Sequence, residues 1–346
     1  MRILALLTVS ALLVTPAFSQ PTTLPIDRFM GDWQGHMTLN GQAQSICTYM
    51  IPLGDGRYEA RFVTDFDKRG PYLVRLRGFI RGDQFRFLDD VPFDPGRVSG
   101  TTDRGVIFDV SLWSGKLAEG SVQGVVSGRQ KGIFDLKQTR RISPTLGKQA
   151  PAGAVVLFDG TNLGAWESQN AGQQIKWRIL PAGVVEVAGG GNIISKEKFG
   201  DHQLHLEFSL PYMPRESGQA RANSGVYLQS RYEVQVLDSY GLEGADNECG
   251  GIYQVARPLV NMCAPPLQWQ TYDITFHAAK LDASGRKTAN ARITVIHNGV
   301  VIHDNLELPK VTGGAVDERE GQPAGLLLQD HGNPVQYRNI WVENIQ

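Results

Sequence analysis

Apolar residues recur at every second position through most of this chain, and the polar residues between them are unusual. In "HQLHLEFSL", Leu204, Leu206 and Phe208 fall on one parity while His205 and Glu207 fall on the other. "NSGVYLQS" alternates Val226 and Leu228 against Gly225, Tyr227 and Gln229, and "YEVQVLD" sets Val234 and Val236 behind Glu233 and Gln235. A period of two is that of a β-strand with one buried face. "YDITF" and "ARITVIHNGVVI" continue the pattern, the second turning at "HNG", a hairpin signal. "GLLLQDHG" puts Gln329 and His331 on one parity before "VQYRNIWVENI" ends the pattern. Long amphipathic helical repeats are missing, so the pattern predicts an all-β chain.

The first half reads as shorter strands, "GRYEARFVTDF", "YLVRLRGFIRGDQFRFL", "GVIFDVSLW" and "GIFDLKQTR", separated by Gly- or Asp-containing turns. Six to eight such strands predict a small antiparallel β-barrel or meander over residues 25–142, accessory in role. Its opening Gly31–Asp32–Trp33 resembles the G-x-W start of lipocalin-type barrels, with Trp33 as a plug for the barrel end. A Pro/Gly/Ala stretch at 143–153 has linker character, and residues 154–346 form the second unit, denser in patterned strands.

Composition narrows the function. The 346 residues carry 34 Lys and Arg against 35 Asp and Glu, leaving no basic field for nucleic acid. Residues 1–19 place Arg2 before an apolar run, with small residues at Ala17 and Ser19, which predicts a cleaved export signal. That run is too short for a membrane span, so the expected location is periplasmic or secreted. Export permits disulfides, and Cys249 with Cys263 could close a short loop for ~3 kcal/mol, the alternative being two buried thiols. Cys47 reads as an apolar strand residue, because nothing near it in sequence would lower its pKa.

An ordinary sandwich strand turns Lys, Thr and Ser outward. Here several strands turn out Glu, Gln, Tyr and His, the donors, acceptors and flat rings that suit a polyhydroxylated ring. Tyr227, Gln229 and Gln329 join Glu233 and Gln235 on that predicted face. Asp330 could orient His331 over its end as acid, base or donor. His205 and Glu207 alternate onto one strand face and could begin a metal site, or form a hydrogen-bonded pair. No G-x-S-x-G elbow, H-E-x-x-H, paired C-x-x-C or P-loop occurs.

The run "VVLFDGTNLGAW", "GNIISKEKFGDHQLHLEF", "NSGVYLQSRYEVQVLDS", "CGGIYQ", "WQTYDITF" and "GLLLQDHGNPVQYRNIWV" resembles the 3-keto-disaccharide hydrolase domain family over residues 154–346. The resemblance implies a concanavalin-type jelly roll with its site on the concave sheet. It also implies cleavage of glycosides whose sugar has been oxidised at C3 by a partner sugar oxidoreductase. Some members are implied to act as lyases and to use a divalent metal ion.

The residues fit that chemistry better than ordinary retaining hydrolysis. "EVQVLD" is similar to the E-x-D-x-x-E strand of laminarinase-type glycosidases, but Gln235 and Asp238 replace two of its acids. A ketone at C3 acidifies the C2 proton, so one carboxylate base suffices, with donors to steady the enolate oxygen. Glu233 suits the base, and Gln235, Asn223, His331 or Arg338 the donors. A non-catalytic sugar-binding protein and a conventional glycosidase remain the alternatives.

Overall fold

The structure, a computed structural model, describes residues 27–89 and 110–345. The expected export signal at 1–19 lies outside the described residues.

Eight antiparallel strands between Gly31 and Thr139 close in simple sequence order, the last pairing with the first from Asp32↔Thr139 to Leu39↔Gly132. This is an up-and-down barrel, at the upper end of the predicted strand count. Closure removes the exposed edges that short strands otherwise offer to other chains. Trp33, Phe62, Phe85, Phe87, Trp113 and Phe134 fill the interior, with the Trp113 and Phe134 centroids 5.2 Å apart. Trp33 donates its indole N–H to the carbonyl of Phe29 at 3.0 Å. The remaining void is about 20 Å³, close to the space of a single water, so the barrel core holds no ligand cavity. Gly124 is required there, because a Cβ would overlap the ring of Phe134.

The second unit stacks two antiparallel sheets. One orders the strands Trp166–Ser168, Ile193–Ser195, Leu327–Leu328, Ser224–Leu228 and Tyr232–Val236. The other centres on His202–Ser209, flanked by Gln336–Asn344 and Trp269–His277. Between them lies one apolar core, which takes Leu204, Leu206 and Phe208 from one sheet and Val226, Leu228, Val234 and Val236 from the other. The period-two reading therefore assigns these faces correctly. No helix among the described residues is long and apolar enough to cross a membrane.

The barrel and sandwich share that core, since Tyr49, Ile51, Val63 and Phe66 of the barrel belong to it. Buried polar contacts fix the join. Asp32 accepts from Tyr240 Oη at 2.7 Å and pairs with Arg141 at 2.8 Å. The Gly241 carbonyl accepts from Tyr72 Oη at 2.9 Å and Arg61 Nη1 at 3.2 Å.

One expectation needs correction here, the disulfide. The stretch at 143–153, between the two units, is held against the sandwich. Ser143 and Thr145 hydroxyls bond Thr271, Gly147 N–H donates to Glu207, and the Lys148 carbonyl accepts from Asn339 and Trp341. The expected Cys249–Cys263 disulfide is absent, and both are buried free thiols. The two thiols hydrogen-bond each other, with Tyr272 Oη 3.3 Å from Cys249 Sγ and the Leu237 carbonyl 3.5 Å from Cys263 Sγ. Cys47 is buried as a strand residue, and burial pushes its thiol up, away from nucleophile behaviour.

Gly124→Ala is expected to lower stability by about 1–3 kcal/mol through overpacking. Urea unfolding of variant and parent, followed through the barrel tryptophans, checks this. An unchanged midpoint would mean that the Phe134 ring moves aside at no cost.

Candidate active site

The strands Ser224–Leu228 and Tyr232–Val236 pair so that Gly225 lies opposite Gln235 and Tyr227 opposite Glu233. Their valines and leucines face the core, so Asn223, Gly225, Tyr227, Glu233 and Gln235 share the outer face. Gln329 joins them from the neighbouring strand, its N–H bonding the Gly225 carbonyl at 2.9 Å. At the centre of this ring Gly225 contributes no side chain, and the Glu233 carboxyl leans over it. A Cβ at 225 would overlap Glu233 Oε1. The backbone there is a floor that only glycine leaves open.

Glu233 is 2% exposed, and no lysine or arginine among the described residues forms an ion pair with it. Tyr227 Oη donates to Glu233 Oε2 at 2.8 Å, and Gln329 Nε2 donates to Tyr227 Oη at 3.1 Å. Burial pushes the carboxyl up from 4.5 to about 7, with the Tyr227 bond opposing the rise. Tyr227 is itself held protonated by burial and by the neighbouring carboxylate. A carboxyl in a buried, cation-free site titrating near neutrality is the condition for a general base at physiological pH.

The amide ring is incompletely satisfied. Asn223 donates to the Gln219 carbonyl at 2.8 Å, yet its own side-chain oxygen is buried with no partner. Gln329 Oε1 is likewise buried and unpartnered. Buried acceptors without donors are rare in folded proteins, and a ligand carrying hydroxyls would supply the missing bonds.

Loops close over the face. Tyr253 N–H bonds the Glu233 carbonyl at 3.2 Å, and Thr312 Oγ1 accepts the Glu233 N–H at 2.9 Å. The Asn333 side chain accepts the Asn223 N–H at 2.7 Å, while Gln219 reaches the Asn247 carbonyl at 2.7 Å. Sequence reasoning did not find Gln219, Tyr253, Thr312 or Asn333. Gln219 lies in a short 3-10 turn and the other three in loops, where no period of two marks a facing side.

Other expected site residues stand elsewhere. Asp330 spends its carboxylate on the N–H groups of Gly191 and Gly332, at 2.9 and 3.0 Å, so it braces a turn instead of orienting His331. His331 is exposed at that turn, and no described contact joins it to Glu233. Gln229 sits in the turn after its strand, donating to the Phe199 carbonyl and accepting from Arg231. Asp238 is a core residue paired with Arg221 at 2.6 Å.

Arg338, expected as a substrate donor, lies on the other sheet. It pairs with Glu207 at 2.6 Å and stacks over Trp269, 4.1 Å from the ring centroid. Glu207 also accepts from Asn339 and the Gly147 N–H. Burial alone would raise Glu207, but these partners and His205 hold it down at about 2. His205 in turn bonds Asp273 through Nδ1 at 2.8 Å. With these lone pairs taken by an arginine, an amide and an N–H, His205 and Glu207 do not fit a metal site. No group of three or more His, Cys, Asp or Glu among the described residues does so. The divalent ion that the resemblance implied finds no donor set there, and no step is derived through one.

Fold and geometry together define a two-sheet β-sandwich protein with a buried, cation-free carboxyl over a glycine floor. Residues 153–343 match the family described as 3-keto-alpha-glucoside-1,2-lyase-like domain, and the chain belongs to that family. Among solved structures, it is similar to a presumed glycosyl hydrolase from Parabacteroides distasonis at 37% identity, with a TM-score of 0.52, covering 57% of this chain and 86% of that one. A second presumed glycosyl hydrolase from the same organism matches at 17% identity and a TM-score of 0.42, covering 56% of this chain and 94% of that one. No curated protein matches the chain.

The raised carboxyl has a linkage consequence. A group whose folded pKa lies above its unfolded value stabilises at low pH, and that contribution is lost as pH rises through the folded pKa, here about 7. Glu233→Gln should therefore match the parent near pH 4 and exceed it in stability by on the order of 2–3 kcal/mol near pH 8. Chemical denaturation at the two pH values measures the gap. A gap that does not change with pH would show that the carboxyl carries no desolvation strain.

Proposed function

We propose that this protein is an exported enzyme that cleaves glycosides oxidised at C3, with Glu233 as the base that takes the C2 proton. The observation that carries the reading is the Glu233 carboxyl itself, buried without a cation, leaning over Gly225 and titrating near neutrality. Family membership supports a glycoside as the substrate, and the fold neighbour described as a presumed glycosyl hydrolase agrees with it.

The ketone at C3 acidifies the hydrogen on C2. Glu233 Oε1 takes that proton, and its electron pair forms an enolate. The enolate then expels the C1 oxygen, giving a C1–C2 double bond and a free aglycone once the departing oxygen is protonated. After Glu233 is protonated it no longer needs the Tyr227 hydroxyl, which is then free to donate to the developing oxyanion or the leaving group. The unpartnered oxygens of Asn223 and Gln329 accept sugar hydroxyls and orient the ring. Addition of water to C1 would complete net hydrolysis. The substrate must be supplied by a sugar 3-oxidoreductase, since nothing in this reaction oxidises C3.

Purified protein offered a 3-keto-disaccharide should release free sugar, with kcat/KM rising as pH increases through about 7, because the base must be unprotonated. Glu233→Gln should lower kcat by about 10²–10⁴, and Gly225→Ala should do nearly as much by displacing the carboxyl. The unoxidised disaccharide should not react. Turnover of the unoxidised sugar at a similar rate, or activity that survives Glu233→Gln, would overturn the proposal.

A further inference from the structure

The amides beside Glu233 cannot all be satisfied at once, and the conflict turns on one proton. The Gln235 side chain has two ends. One lies 2.9 Å from both Glu233 Oε1 and the Ser224 carbonyl. The other lies 3.0 Å from Gln219 Oε1 and 3.4 Å from the Asn247 carbonyl. All four neighbours are oxygens, whereas the amide offers donors at only one end.

Gln219 decides between them. Its Nε2 donates to the Asn247 carbonyl at 2.7 Å, so its oxygen is left to face Gln235 and to accept from Asn223 at 3.2 Å. That oxygen asks the Gln235 NH₂ to point toward Gln219. The Gln235 oxygen then faces Glu233 Oε1, where only a protonated carboxyl can answer it as a donor. Turning the amide over supplies two donors to Ser224 and an ionised Glu233, but brings the Gln235 oxygen against Gln219 Oε1. Each protonation state of the carboxyl thus selects one orientation of the amide, and Gln219 biases the choice toward the protonated one.

We propose that Gln219, acting through Gln235, is a positioning residue that sets how readily Glu233 holds its proton. The other titratable groups bearing on the site are all tyrosines. Tyr227 donates to Glu233 from the paired strand, Tyr253 faces Tyr227 from the covering loop, and Tyr337 lies across the core. None brings a cation that would fix the carboxyl's charge. The inference rests on Glu233 as the proton-bearing group of the proposed reaction, yet it can be read without substrate and can therefore fail alone.

The test is the titration of the Glu233 side-chain carbon by NMR in protein labelled with ¹³C-glutamate, with Glu233→Gln assigning the signal. Gln219→Met removes the oxygen that holds Gln235, lies at a half-buried loop position, and should lower the Glu233 midpoint by about one pH unit, a tenfold change in proton affinity. In a Gln235→Met background the same Gln219→Met change should move the midpoint little, since the relay is gone. An unmoved midpoint in the single variant would overturn the proposal, as would an equal shift in both backgrounds. Should Gln235→Met not fold, the single variant still decides.

Discussion

A carboxyl group taken out of water with no cation beside it is the constraint around which the rest of this molecule is arranged. The same sandwich holds a counter-example one sheet away. Glu207 is as buried as Glu233, but Arg338, Asn339 and the Gly147 N–H surround it and keep it ionised, held at about 2. Glu233 receives one hydroxyl, no cation, and rises to about 7. Burial is equal in the two cases; the donors differ. One carboxylate therefore pins the junction between barrel and sandwich, and the other is left without a counter-charge.

That difference depends on keeping water and charge away from one small area of sheet. The loops through Tyr253 and Thr312 bond the backbone of Glu233 on both its carbonyl and N–H sides, so the strand cannot shift to relieve the carboxyl. Earlier in the first of those loops, the barrel holds the Tyr240 hydroxyl through Asp32 and the Gly241 carbonyl through Arg61 and Tyr72. Among the described residues the barrel interior is filled by aromatic side chains, and its outer contacts brace the start of the segment that leads to Tyr253.

Within the ring around Gly225 the polar groups are short of donors. The unpartnered oxygens of Asn223 and Gln329, and the opposed oxygens of Gln235, Gln219 and Glu233, all face a deficit that hydroxyls or a proton would relieve. Such a site gains little from an anion. It suits a neutral, hydroxyl-rich ligand and a group that exchanges protons with it.

How much of this was legible along the chain follows from period and reach. Alternation in "NSGVYLQS", "YEVQVLD" and "GLLLQDHG" placed Tyr227, Glu233, Gln235 and Gln329 on one face, because side-chain direction in a strand is fixed by parity alone, and it failed for Gln229 where the strand ends in a turn. The same alternation put His205 and Glu207 on one face correctly, but parity carries no information about what covers that face. The junction strap and Arg338 cover it, which converts an apparent pair of metal ligands into a salt-bridge network. "QDHG" misled for a related reason, since Asp330 meets backbone N–H groups from a distant loop and leaves His331 in solvent. The spacing brought Cys249 and Cys263 together as expected, but as a hydrogen-bonded pair of buried thiols in place of a disulfide. The sequence by itself determined the all-β architecture, the faces of the strands and the acid worth watching, since these follow from periodicity. Only the tertiary structure decided which buried acid would lack a cation, because that depends on long-range packing of Gly225, Gln219, Tyr253 and Arg338, which no local pattern encodes.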